Sequence, residues 1–204
     1  MRGNLVIGNP GSGKSFALIN SFIRQHIAKG FSACIYDFKF PTLSTLTYNV
    51  LLRNIGSYKV QPQFCVLNFD DPRHSHRCNP IAPDLLNDIT DAYESAFVTL
   101  VGMNRTWASR SGDFFVESAV TFFAAIIWFL RVYKDGEYCT LPHALELLNK
   151  GYTELFPILM AEPTLTNYMT PFSSALKSGV FEQLEGQVAS VRIPLARLIS
   201  PTLY

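Results

Sequence analysis

Charge is scarce in this chain and neither sign prevails: 16% of its 204 residues are Asp, Glu, Lys or Arg, and the formal net charge is +1. So even a balance offers no broad basic face for nucleic-acid phosphates and no acidic tail; any DNA-handling surface is local or lies outside this stretch. Cysteine is equally sparse. Cys34, Cys65, Cys78 and Cys139 form no CxxC pair and no metal-ligand spacing, which argues against a zinc framework or a disulfide scaffold and points to a reducing cytoplasm. They sit in apolar stretches or beside Asn79, where free cysteine behaves as a small buried hydrophobe. The run RHSHRC places His74 and His76 near Cys78, but it has no second ligand cluster to complete a metal site.

Long hydrophobic runs are also missing. The longest, residues 119–130, is well short of the roughly 20 apolar residues that a bilayer span needs and reads as a buried core helix. No internal repeat or low-complexity tract is present. Residues 1–7 lead straight into a glycine-rich loop, so no signal peptide is expected. What the chain has in quantity is aromatic and apolar residues: 13% are Phe, Trp or Tyr, sixteen of them Phe, and 48% are hydrophobic. That excludes a disordered chain and provides the core of one large domain or two small ones.

Gly8-Asn9-Pro10-Gly11-Ser12-Gly13-Lys14-Ser15 fits the P-loop pattern GxxxxGK[ST] at every position. Gly8, Gly11 and Gly13 allow the backbone to reach positive φ and to approach phosphate without a Cβ clash. The loop N–H groups, with the dipole of the helix that follows, then converge on phosphate oxygens. In that pattern Lys14, the one candidate catalytic side chain, places its ammonium on the β- and γ-phosphates, and Ser15 gives its hydroxyl to Mg²⁺. ATP with Mg²⁺ is the expected ligand.

Around the loop the pattern predicts alternating strands and helices. Residues 4–7 (NLVI), 31–37 (FSACIYD) and 64–69 (FCVLNF) read as buried strands. A helix from Ser15 should present Phe16, Ile19, Ile23 and Ile27 on one face and stop at Gly30. A second helix is expected near 43–55, after Pro41. This is an α/β order with a parallel sheet, whose ligand lies at the carboxyl ends of the strands. Beyond residue 83 the character becomes helical. Leu85, Ile89, Ala92, Ala96 and Val98 are read as sharing a face, 113–133 as a long Phe-rich helix, and Thr140 or Leu141 as a start before Pro142. One or two more helices are expected around Gly179 and Gly186, and a strand is expected to resume after Pro201. Asp37 and Asp70 close two of the expected strands and are candidate Mg²⁺ ligands, although neither shows the acid pairing that would supply metal ligand and base together. Arg105, Arg110, Arg192 and Arg197 are candidates for a finger toward a neighbour's nucleotide, with nothing to select one. A loop beginning so early, and the apolar ending ISPTLY, lead us to expect an excised segment of a longer protein.

The P-loop, the segment YDFKFPTLS at 36–44 and the Asn-Pro at 79–80 resemble the type IV coupling proteins of bacterial conjugation, the TraG/TraD family. The form YDFKFP is most similar to the TraG proteins of Bacteroides-type conjugative elements, and residues 114–130 and 140–148 resemble that family's helical insertion. The resemblance implies a RecA-like P-loop NTPase with a parallel sheet and an inserted, mostly α-helical domain. It divides the chain into 1–83, the first part of the nucleotide-binding domain, 84–180, an all-α domain, and 181–204, a helical return. It implies a hexameric ATPase anchored on the cytoplasmic side of the bacterial inner membrane, which couples relaxase-bound DNA to a type IV secretion channel. On that resemblance Asp37 lies near the nucleotide. No segment of 179–204 matches the family's second acidic motif, so hydrolysis by this stretch alone is not expected. A HerA/FtsK-like translocase and a small-molecule P-loop kinase are the alternatives.

Overall fold

Every regular element in the computed structural model, which describes residues 3–110 and 112–199, is a helix or a helical turn. The parallel sheet of an α/β, RecA-like P-loop fold is therefore corrected: among the described residues there is no strand, and the architecture is all-α. No backbone hydrogen bond among them joins 4–7, 31–37 and 64–69 to one another. Burial nevertheless alternates along 62–69, with Pro62, Phe64, Val66 and Asn68 half-buried and Gln63, Cys65, Leu67 and Phe69 exposed. The two-residue period is real, but a strand is made by its ladder, and with no strand bonded alongside the period gives only a two-faced segment. Leu5, Ile7, Tyr36 and Phe69, expected in a sheet core, are each at least 80% exposed. The strand expected after Pro201 lies outside the described residues.

The chain forms two compact units that part between His76 and Arg77. In the first, a π-helical turn (Ser15–Ile19) continues into α1 (Asn20–Ala28), which packs on α2 (Thr42–Arg53). Ile23 and Ile27 are buried with Leu51, and Ile19 packs against them, so most of the expected face is correct, while Phe16 points to solvent. Gly30 ends α1 as expected, at φ +74°, with the Phe31 N–H donating to His26 O at 3.1 Å and the Gly30 N–H to Ile27 O at 3.0 Å. A Cβ there would lie 2.6 Å from the Ser57 carbonyl oxygen, so both conformation and space require glycine.

The second unit holds α3 (Ile89–Met103), α4 (Phe114–Val132), α5 (Leu141–Leu148), α6 (Tyr152–Met160), α7 (Thr166–Lys177) and α8 (Phe181–Leu195). Several starts have a local cause. Asp88 and Asp91 form a capping box at α3, Asp113 accepts from Phe115 N at the head of α4, and Pro142 occupies the first turn of α5 after Thr140. α4 is the central helix, packed by α3, α5, α7 and α8. Its Phe122, Phe123, Ala124, Ala125, Ile126 and Ile127 are all fully buried. Phe122 meets Phe156 of α6 at 5.9 Å and Phe172 of α7 at 5.2 Å between ring centroids. Residues 114–136 are long and apolar enough to cross a membrane by length and composition, the one such stretch among the described residues, and 56% of that window is buried inside the protein. Only its middle, residues 122–127, is apolar all round, because there it is covered on every side.

Candidate functional site

The P-loop segment leads directly into the helix, and its geometry follows from its glycines. Gly11 and Gly13 have φ of +80° and +79°, a region other residues seldom enter, and a Cβ at either would meet nothing within 4 Å. At Gly8 the reason differs: a Cβ would lie 2.9 Å from Ser12 Oγ and 3.3 Å from Lys14 Cδ. Pro10 and Gly11 form the turn, closed by the Ser12 N–H donating to Asn9 O at 3.2 Å. The Lys14 side chain folds back into the loop. Its ammonium donates to Gly8 O at 2.6 Å, to Asn9 O at 2.7 Å and to Ser12 Oγ at 3.1 Å.

The helix bonds begin only at Ala17 N, which donates to Gly13 O at 2.8 Å. Among the described residues the N–H groups of Gly11, Gly13, Lys14 and Ser15 have no acceptor. These are the free donors of a helix N-terminus, supplemented by those of the loop. Ser15, the first residue of the π-helical turn, is exposed. The site thus combines unpaired backbone donors, the ammonium of half-buried Lys14 on the same loop and an exposed hydroxyl. That set fits a polyphosphate with its magnesium ion, since the phosphate oxygens can take the N–H groups and compete with the carbonyls for Lys14.

Asp37 has a different setting. Its Oδ2 accepts from Ser44 N at 2.9 Å and Ser44 Oγ at 3.0 Å, which fixes the chain onto the first turn of α2. Its Oδ1 is buried and has no hydrogen-bond partner among the described residues. Asp37 and Asp70 line one cleft of about 650 Å³, and none of residues 8–15 lines it. The two acids thus share the wall of one cleft, and the loop is left out of it. Asp71 begins the turn Pro72–His74 and pairs with His74 Nδ1 at 2.6 Å. That hydrogen bond holds its carboxyl below the usual range.

Among the described residues no three His, Cys, Asp or Glu side chains are grouped to hold a metal ion. His76 Nδ1 lies 3.0 Å from Val66 N, and Cys34, Cys65 and Cys78 are exposed, so only Cys139 is the buried hydrophobe that the sequence pattern assigned to all four. Two of the arginines have structural positions. Arg192 donates from Nε to Leu148 O at 3.0 Å and from Nη2 to Lys150 O at 2.7 Å, closing the end of α5, and Arg110 pairs with Asp113 at 3.0 Å. Arg105 and Arg197 are exposed.

Asn79 is an anchor that sequence reasoning did not find. Its Nδ2 donates to Cys139 O at 2.7 Å and its Oδ1 accepts from Ile81 N at 3.2 Å. Its signal was the Asn-Pro pair, but the partner sixty residues away has no sequence signature. The aromatic set Phe129, Tyr133, Tyr138 and His143 was missed too, because a left-handed turn brings it together. Compared with known proteins, the chain matches no family model, no curated protein and no solved structure.

Proposed function

We propose that this chain binds ATP with Mg²⁺ through residues 8–15 and serves as the nucleotide-binding element of a DNA-transfer motor of the coupling-protein type. The observation that carries the reading is the loop itself: positive φ at Gly11 and Gly13, four N–H groups without acceptors, and the Lys14 ammonium turned into the loop. Lys14 is the residue that would neutralise the β- and γ-phosphates, and the Ser15 hydroxyl is the one that would reach the magnesium ion. Bound magnesium supplies charge neutralisation between phosphate oxygens. Asp37, held by Ser44 in a separate cleft, is assigned a structural role here rather than a nucleotide contact.

The wider reading rests on the resemblance of residues 8–15, 36–44 and 79–80. In it, a hexamer on the cytoplasmic side of the inner membrane couples relaxosome-bound DNA to a secretion channel, with the helical unit available to meet relaxosome proteins. Calorimetry with ATP and ADP in the presence of Mg²⁺, on this chain and on Lys14→Ala, tests the core of it. Binding that is lost in Lys14→Ala, without turnover in either protein, is the expected result. A chain that binds neither nucleotide overturns the reading. Steady hydrolysis by this chain would instead overturn the structural assignment of Asp37 and return it and Asp70 to the candidate acids.

A further inference from the structure

A second site lies where α4 ends and α5 begins. Phe129, Tyr133, Tyr138 and His143 line a shallow cup of about 250 Å³, with Glu146 and Lys150 also in its wall. The rings form a continuous series. Phe129 stacks on Tyr133 at 5.6 Å and 17°, Tyr133 meets Tyr138 at 6.1 Å, and Tyr138 meets His143 edge-on at 5.2 Å and 78°.

A cation already lies on these rings. The Lys134 ammonium is 5.6 Å from the Tyr133 centroid and 5.3 Å from that of Tyr138, within the range in which the negative face of an aromatic ring attracts an ammonium. Among the described residues this exposed ammonium has no carboxylate or hydrogen-bond partner, so the ring faces are what the protein itself offers it. The backbone that puts it there is unusual. Lys134 and Asp135 have φ of 46° and 55°, the two non-glycine residues with positive φ among those described, and Gly136 follows at 83°. Non-glycine residues in this region are uncommon, and their clustering at binding sites makes the turn a pointer to function. Glu146 adds a carboxylate to the wall and offsets Lys150.

We propose that the Tyr133 and Tyr138 ring faces on which Lys134 lies are a binding site for an alkylammonium cation, with the Lys134 ammonium their intramolecular occupant. The ligand displaces the Lys134 ammonium from the Tyr133 and Tyr138 faces and takes its place on the same rings. A methylated ammonium suits these ring faces best, because it carries charge on an apolar surface that loses little hydration on leaving water. Both a free quaternary amine and a lysine side chain of a partner protein present this chemistry.

Proton NMR titration of the full chain with choline, beside its neutral isostere 3,3-dimethylbutan-1-ol, tests the proposal. Choline should bind saturably, with its methyl signal shifted upfield by the rings, and the isostere should not. Lys134→Ala removes the internal competitor and should tighten choline binding by about two- to fivefold, the equivalent of one exposed cation–π contact. Tyr133 is exposed, so its variants keep the fold: Tyr133→Phe should retain binding and Tyr133→Leu should lose it. A trimethyl-lysine peptide that binds more tightly than choline identifies a protein source, and equal affinity identifies a free amine; either supports the site. Equal binding of the isostere, or no choline binding in both the parent chain and Lys134→Ala, overturns it.

Discussion

Tyr93 ties α3 to α4 through one hydroxyl. It donates to Glu117 Oε2 at 2.7 Å, while Glu117 Oε1 accepts from Gly112 N at 3.2 Å, so one carboxylate joins two helices and the loop before α4. Burial, reinforced by this bond to a carboxylate, pushes the phenol from 10.0 up to about 12. A group whose folded pKa is raised stabilises the fold below its unfolded pKa, and that contribution disappears as pH climbs toward the folded value. The window here is pH 10.0 to about 12. Denaturant midpoints measured across it should fall more steeply for the parent chain than for Tyr93→Phe, and equal slopes would refute the linkage. Cys139 illustrates the same cause, with burial outweighing the opposing charge of Arg131. Burial raises its thiol to about 11, and its Sγ donates to Ile81 O at 3.1 Å, so it is inert while the three exposed cysteines are open to reagents.

α3 shows which parts of a helix its sequence reveals. Its start is legible, since Asp88 with Asp91 three residues on is a capping-box pattern, but its buried face is only partly so. Leu85, Ile89, Ala92, Ala96 and Val98 read as one face, whereas Ala92, Ala96 and Leu100 are fully buried, and Leu85 and Val98 are 63% and 66% exposed. A step of two residues turns a helix through about 200°, so Val98 cannot share the face of Ala96, and Leu85 precedes the helix altogether. The small residues at 92 and 96 allow α3 to lie close on α4. Ala96→Leu should therefore overpack that contact and cost about 1–3 kcal/mol of stability. Val98→Ser should stay within about 0.5 kcal/mol of the parent. Urea melts of the two variants distinguish the faces: a larger loss for Val98→Ser would restore the first grouping. The heads of α2 and α5 and the stop at Gly30 were legible for the same local reasons, because caps and turn residues act within a few positions.

At the scale of the whole molecule, legibility ends where partners are distant. The glycine-rich loop motif could be read because all its parts lie within eight residues, and the long Phe-rich helix because its composition is its environment. The sheet could not be secured in that way. Residues 31–37 and 64–69 carry the right residue types, and 64–69 the right period, but strand identity is a property of pairs, and among the described residues these segments do not pair. The two units also differ in what holds them. Burial in the first centres on Ile23, Ile27 and Leu51, whereas the second surrounds α4 with a continuous core. At about 1.5–3 kcal/mol for each buried side chain, the first has only a few kcal/mol of apolar stabilisation to set against chain entropy. Native-state hydrogen exchange should report both facts. Amides of residues 32–37 lack backbone acceptors and should exchange within about tenfold of the unfolded rate, those of α1 and α2 with intermediate protection, and those at 122–127 only on global unfolding of the helical unit. Protection above about a hundredfold at 32–37 would reveal a ladder there and reverse the correction to the fold.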